Sequence, residues 1–287
     1  MDRSKVLRVA KTEYVKWIGN PKMVILLVML IFAYDYVILE LTMAADKMRE
    51  PLQIFEGFIG ISNSQLLLMI IPIVFVGLMG DFPRVDGNAM LYIYRVGKSN
   101  WLFGQVLFAV MAAGTYLFIL FGFSSVMLLG RCYVGNWWSE ISTKYYLFAP
   151  NDYMSTVANL TTGRLYNNLR PWDAALHILG LMFLFLLFIS MLLLIGFVCK
   201  IRIGGIMLTV GVLCLGNVLA YMENSIRWFF PTAHAILEIH FDEIYKKPIM
   251  EMWGSYFYYV ILILIGFLIS YITIDRYDFS KIQELEE

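Results

Sequence analysis

The chain has 287 residues, of which 60% are hydrophobic and 15% are charged. Soluble domains have roughly 45–50% apolar and about 25% charged residues, so one soluble core cannot bury this excess of apolar side chains. The 22 Lys and Arg residues balance the 22 Asp and Glu residues. This neutral total excludes the global basic field that gathers nucleic acid, so we expect no nucleic-acid partner.

Six segments are long and apolar enough to cross a membrane: residues 23–43, 62–80, 101–130, 174–199, 203–222 and 253–274. A spanning helix needs about 20 mostly apolar residues and satisfies its own backbone groups without water. The second segment contains Pro72 and is the weakest of the six. The predicted fold class is therefore an all-α polytopic membrane protein, with about six transmembrane helices preceded by an N-terminal amphipathic interfacial helix.

The positions of Lys and Arg predict the orientation, because these residues concentrate in short cytoplasmic segments. With the N-terminus inside, both termini are cytoplasmic, and we expect the chain in the bacterial cell membrane. Thirteen of the 22 basic residues then lie inside: Arg3, Lys5, Arg8, Lys11, Lys16, Lys22, Arg84, Arg95, Lys98, Lys200, Arg202, Arg276 and Lys281.

The expected organisation has one membrane domain and no independent second domain. A cytoplasmic amphipathic helix covers residues 1–22, the six-span domain covers residues 23–275, and a cytoplasmic tail covers residues 276–287. Within the membrane domain we expect a cytoplasmic coupling segment at 81–100. The expected outer loops cover residues 44–61, 131–173 and 223–252, and the last of them is predicted to hold a surface or re-entrant helix.

The segment before the first span has the pattern of a helix that lies in the membrane interface. Its apolar residues recur at helical spacing and basic residues occupy the positions between them. Basic side chains meet anionic headgroups, and Trp favours the interface, so we predict membrane contacts by Lys5, Arg8, Lys11 and Trp17. The expected apolar face consists of Leu7, Ala10, Tyr14, Trp17 and Ile18. Passive anchoring is the simpler interpretation of the same pattern.

The segment between the second and third spans contains chain-breaking residues around a short apolar stretch. Pro83 and the pair Asp86-Gly87 interrupt the chain, and residues 88–94 can form two short helical turns. The chain then turns back toward the bilayer through Arg95 and Gly97. A short helix across the cytoplasmic surface is suited to mechanical contact rather than catalysis.

On these residues the chain resembles the permease subunits of type 2 ATP-binding-cassette (ABC) transporters. In that family an amphipathic helix precedes six spans, and the loop after the second span carries an acidic–Gly turn, a coupling helix and a basic–Gly return. The chain has Asp86 where the family often has Glu, and Val96 where it often has Pro. The resemblance implies ATPase-coupling contacts by Asp86, Gly87, Met90, Leu91, Tyr94 and Arg95.

The resemblance also implies an exporter that works by alternating access and needs partners. These are a nucleotide-binding ATPase subunit, which holds ATP and Mg, and a second permease copy in a homodimer or heterodimer. The chain itself lacks a phosphate-binding loop, because Tyr92 stands where the loop of Gly97-Lys98-Ser99 would need a Gly. We therefore expect no ATPase activity, no catalytic residues and no cofactor in this chain.

Asp35 is a candidate for the substrate path, because it lies within the first span. An ionised carboxylate at the centre of a membrane helix costs at least ~2.5 kcal/mol, so the group should face a cavity or a partner. The alternative is that Asp35, like Glu40, lies near the outer end of the span and reaches water.

We predict no metal site. Cys132, Cys199 and Cys214 are far apart in sequence, and His234, Glu238, His240 and Asp242 lack the two-His i, i+4 spacing that shares a helical face. Three other functions remain open from the sequence. A secondary transporter would need broken helices and buried charges, an intramembrane enzyme would need a nucleophile with a base, and a non-transporting scaffold or immunity protein would need neither.

Overall fold

The computed structural model describes residues 2–84, 93–149, 157, 162–222, 224–242 and 247–274. These residues are mostly helical. The helices are α1 (Arg3–Ile18), α2 (Pro21–Met48), α3 (Glu56–Asn63), α4 (Gln65–Leu78), α5 (Lys98–Met127), α6 (Glu140–Phe148), α7 (Gly163–Tyr166), α8 (Pro171–Val198), α9 (Arg202–Ala220), α10 (Pro231–Ala235) and α11 (Met252–Ile274). Short 3₁₀ turns cover Ser225–Phe229 and Glu238–His240, and the two-residue strands β1 (Leu52–Gln53) and β2 (Cys132–Tyr133) pair in parallel.

Five described helices are long and apolar enough to cross a membrane: α2, α5, α8, α9 and α11. Their bounds agree with five of the six expected spans to within a few residues. The apolar faces that they leave exposed include Phe118 (74%) and Trp253 (79%). Side chains of this size stay exposed without cost only in a lipid-like environment, so the protein is membrane-embedded.

The expected span at residues 62–80 is not a single straight helix. The helix α4 begins at Gln65 and has 14 residues, and α3 precedes it at an angle of 86°. The pair counts as a sixth span only if the two bent helices are taken together. Pro72 lies inside α4, but the break occurs at Ser64, whose extended backbone ends α3 and whose hydroxyl caps α4 by accepting from Leu67 N.

The core of the bundle is built around α8, which is the most buried of the five long helices. It packs against α5, α9 and α11. The crossing of α8 and α9 is tight, because a Cβ on Gly196 would lie 2.7 Å from the Cα of Gly205. Glycine at both positions permits this close approach.

The helix α1 packs along α5, with contacts from Gly104 to Thr115. A Cβ on Gly104 would lie 2.5 Å from Cβ of Val9, and the hydroxyl groups of Tyr14 and Thr115 are 2.9 Å apart. Two ion pairs serve to name the ends of the bundle. The "Lys22 end" is where Lys22 meets Asp81, and the "Arg131 end" is where Arg131 meets Asp46.

The buried face of α1 differs from the one expected from spacing. Val6, Val9, Ala10, Glu13 and Trp17 are buried against the bundle, whereas Leu7 and Ile18 are exposed. Apolar side chains therefore lie both on the side that packs against α5 and on the exposed side, so spacing alone does not identify the buried face. Arg8 and Lys11 are exposed and Lys5 is half-buried, while Trp17 packs edge-on against Phe108 rather than facing outward. Their predicted membrane contacts stay predictions.

Candidate coupling site and mid-span carboxylate

A polar network at the Lys22 end joins the elements that surround the coupling segment. Asp81 Oδ2 lies 2.6 Å from Lys22 Nζ and 3.5 Å from Arg84 Nη2. Arg84 donates to the carbonyl of Lys16, and Arg202 donates to the carbonyl of Gly80. The network therefore links the end of α1, the start of α2, the chain after α4 and the start of α9.

Asp81 is the charged centre of this network. The hydrogen bond from Lys22 holds the pKa of the Asp81 carboxyl below its ordinary value, so the group is ionised at neutral pH. Beside it, Glu13, Trp17 and Phe108 line a small cleft together with Asp81 and Arg84. Sequence reasoning missed this centre, because nothing in the local pattern pairs Lys22 with a residue 59 positions away.

The predicted coupling residues fall partly outside the described chain. Asp86, Gly87, Met90 and Leu91 lie among residues 85–92, which the structure does not describe. Their predicted contacts with an ATPase stay predictions.

Residues 93–96 form a helical turn with two different faces. Ile93 (3% exposed) and Val96 (7%) are buried, whereas Tyr94 is 74% exposed and Arg95 is also exposed. Gly97 follows with φ +87°, a value that favours glycine, and α5 begins at the next residue. The turn therefore attaches to the bundle on one side and presents an aromatic and a basic side chain on the other.

Asp35 lies at mid-depth of α2, with its side chain exposed. Asp35 lies 13 residues after Lys22 and 11 residues before Asp46. At 1.5 Å per residue, it is about 20 Å along the helix from Lys22 and about 16 Å from Asp46. Glu40, which is half-buried, is closer to the Arg131 end. Both interpretations of Asp35, a place on the substrate path and access to water at the outer end of the span, stay predictions.

The backbone around Asp35 is also unusual. Tyr34–Ile38 form a π-helical turn inside α2, and such turns occur frequently at functional sites. On the same exposed face, one turn earlier, lies Ile31 with 67% of its surface exposed. Phe32 stacks on Tyr36 with ring centroids 5.7 Å apart. A carboxylate therefore interrupts an exposed apolar face at its middle.

Glu56 is a second acidic residue that sequence reasoning did not single out. Its side chain is fully buried at the start of α3 and accepts hydrogen bonds from the backbone N and the hydroxyl of Ser139, at 2.8 and 2.7 Å, and from Gln53 N at 3.1 Å. These bonds tie the bent pair α3–α4 to the start of α6. The arrangement is structural, because all three bonds go to groups that hold loops together.

The described residues contain no group of three or more His, Cys, Asp or Glu side chains that would hold a metal ion. Glu238 accepts a hydrogen bond from Thr162, whereas His234 and His240 both contact Ser255. Within the outer loop that is predicted to hold a surface or re-entrant helix, the structure has the five-residue helix α10, and all five of its residues are buried.

No family model matches the chain, and no curated protein and no solved structure matches it either.

Proposed function

We propose that this chain is the membrane-spanning permease subunit of an ATP-binding-cassette exporter. A separate nucleotide-binding subunit would bind ATP and Mg, and its closure would drive the spans between inward-open and outward-open states. In this proposal the Lys22 end is cytoplasmic, both termini are cytoplasmic and the membrane is the bacterial cell membrane.

The observation that carries the proposal is the position of the turn at residues 93–96. Its exposed side chains, Tyr94 and Arg95, are accessible to a partner, while Ile93 and Val96 pack against the bundle. The turn continues directly into α5, and the other end of the same segment enters the Asp81 network. Force applied at the segment would therefore reach α2, α5 and α9 together.

The position of Asp35 supports two parts of the proposal, which are the substrate path and the second permease copy. A carboxylate at the middle of an exposed apolar face costs roughly 2.5–3.5 kcal/mol if lipid covers it. A second permease chain that encloses a water-filled path along α2 removes this cost, because the carboxylate then meets water, substrate or the partner. The proposal accordingly places α2 at the path between two copies.

A secondary transporter is the second candidate, and one observation favours it. The 86° break between α3 and α4 resembles the discontinuous helices that line midplane sites in ion-coupled carriers. Such a protein would use an ion gradient and would need no ATPase.

Copurification with an ATPase distinguishes the two candidates. The full chain, tagged at its C-terminus and extracted from its native membrane, should carry a nucleotide-binding protein in a defined ratio, and the complex should hydrolyse ATP. The chain purified away from that protein should not hydrolyse ATP. If no ATPase accompanies the chain and an imposed ion gradient alone drives flux in reconstituted vesicles, the carrier candidate replaces the proposal.

A further inference from the structure

Three side chains near the Arg131 end form a continuous hydrogen-bonded chain. Ser255 Oγ, in the first turn of α11, lies 2.8 Å from His234 Nδ1 and 2.8 Å from His240 Nε2. The remaining nitrogen of each ring contacts a backbone carbonyl: His234 Nε2 lies 2.8 Å from the oxygen of Trp228, and His240 Nδ1 lies 2.8 Å from the oxygen of Ile236. All four ring nitrogens are therefore engaged.

Counting hydrogens shows that two neutral imidazoles cannot satisfy this chain. A carbonyl oxygen only accepts, so His234 Nε2 and His240 Nδ1 must both carry hydrogens. In the neutral rings the two nitrogens that face Ser255 are then both acceptors. The serine hydroxyl has one hydrogen and can donate to only one of them, which leaves two acceptors facing each other at 2.8 Å.

One additional proton satisfies every contact. If either ring is an imidazolium, it donates to Ser255 Oγ, and the serine hydroxyl donates to the other ring. Each donor then has an acceptor at every contact, from the Trp228 carbonyl through His234, Ser255 and His240 to the Ile236 carbonyl. A second additional proton would leave the serine hydrogen without an acceptor among these groups, although the serine oxygen could accept from both rings, and it would place two positive charges on either side of one hydroxyl.

We propose that His234, Ser255 and His240 form a binding site for one additional proton, which the two histidines share and which excludes a second. This proton site is separate from the proposed transport function. It joins the buried segment that contains α10 to the start of the last span. Occupancy would determine how firmly this segment is held on α11.

The buried surroundings of the two rings disfavour a positive charge on them, but they do not change the number of hydrogens that the contacts require. Burial lowers the pKa of His234 and lowers that of His240 to about 4. The ring of His234 is stacked on Tyr258 at 4.0 Å. The rings of Tyr258 and Tyr259 contact His234. Arg227 lowers the pKa of His240 further by its positive charge.

The hydrogen-bond requirement raises the midpoint pH of proton uptake, and burial lowers it. It should lie above about 4, the value for His240, because the first proton removes the contact between two acceptors. It should lie below 6.5, the ordinary imidazole value, because the site is buried.

Nuclear magnetic resonance of histidine-labelled protein tests the proposal directly, because the chain has only three histidines. The full chain in lipid nanodiscs, with ¹³C- and ¹⁵N-labelled histidine, is titrated from pH 8 to pH 4, and single variants assign the signals. The signals of His234 and His240 should move together with one midpoint and a total uptake of one proton. Two separate one-proton midpoints, or no uptake above pH 4, would overturn the proposal.

Two serine variants of the same helix separate the bridge from general effects. Ser255→Ala should lower the midpoint by at least about one pH unit, because the hydroxyl that creates the mismatch is gone. Ser270→Ala is the matched control, since Ser270 Oγ donates to Gly266 O within the same helix α11, and it should leave the midpoint unchanged. If Ser255→Ala does not fold, Ser255→Thr retains a one-hydrogen hydroxyl and should keep the wild-type midpoint. An unchanged midpoint in Ser255→Ala, or a lost site in Ser255→Thr that folds, would contradict the proposal.

Discussion

Lys22 Nζ and Asp81 Oδ2 lie 2.6 Å apart, and this contact joins the start of the first span to the chain that follows the bent helices. Both side chains are 42% exposed. Ion pairs of this exposure contribute about 0–1 kcal/mol to stability. The pair lies beside the segment proposed to contact an ATPase. We therefore expect it to transmit movement rather than to stabilise the fold.

We predict that Asp81→Asn leaves the free energy of unfolding within about 1 kcal/mol of wild type but lowers ATP hydrolysis by the copurified complex. The double variant Lys22→Asp/Asp81→Lys, which reverses the pair, should recover part of the loss. Glu140→Gln breaks the exposed Glu140–Lys144 pair at the Arg131 end and serves as the matched control. A large loss of thermal stability in Asp81→Asn would instead indicate a structural role.

The proposed contact with an ATPase predicts that substitutions at the adjacent residues Tyr94 and Ile93 have different effects. Tyr94→Ser together with Leu91→Ser should leave membrane expression unchanged, since Tyr94 is 74% exposed, while weakening recovery of the ATPase in a pull-down by at least about tenfold if the aromatic is a contact hot spot. Ile93→Ser is the control for fold damage, because Ile93 is 3% exposed, and it should lower expression. Normal ATPase recovery and hydrolysis in the double variant would remove the main residue-level support for the proposed function.

The environment of Asp35 can be measured with cysteine labelling. In a background in which Cys132, Cys199 and Cys214 are replaced by Ser, Asp35→Cys and Ile31→Cys should react with a membrane-impermeant thiol reagent or form a disulfide with a second copy. Ala33→Cys is the control, since Ala33 is fully buried within the chain, and it should do neither. Reaction only with a lipid-soluble reagent would show that lipid covers the Asp35 face.

The docking of α1 on α5 predicts a difference between two glycines of one helix. Gly104→Ala should destabilise the protein by about 1–3 kcal/mol, because its Cβ would lie 2.5 Å from Val9 Cβ. Gly122→Ala has nothing within 4 Å of its Cβ, so it should be neutral or stabilising by up to about 1 kcal/mol. Thermal unfolding in one detergent measures both, and equal effects would mean that α1 does not pack in this way.

The buried histidines predict a loss of stability in acid. Their pKa values are lowered in the folded state, so between pH 6.5 and about 4 the unfolded chain binds more protons and stability falls as the pH falls. The loss attributable to His240 is at most about 3 kcal/mol at 1.36 kcal/mol per pKa unit, since its pKa in the folded state is no lower than about 4. The unfolding temperature of His240→Asn should therefore depend less on pH between 7 and 4.5 than that of wild type, and an equal or steeper dependence would contradict this assignment.

The predictability of the candidate site varied with the kind of contact. Asp35 was recognisable from sequence, because a single carboxylate in an apolar run is conspicuous on its own. The Lys22–Asp81 pair and the bonds of Glu56 to Ser139 join residues 59 and 83 positions apart. Contacts over such separations depend on how helices are arranged, and no local pattern encodes them.

The sequence by itself determined the helical class and the positions of five long apolar helices, because the requirement for about 20 apolar residues is local and additive along the chain. Only the tertiary structure decided which faces of those helices are buried. Both faces of a membrane-spanning helix are apolar, so periodicity does not tell the face that meets lipid from the face that meets protein. In α1, which is not a span, apolar residues also lie on both sides, and the helix buries Val6 and Val9 instead of Leu7. The break at Ser64 and the contact of two histidines with one serine likewise depend on packing between elements that are distant in the chain.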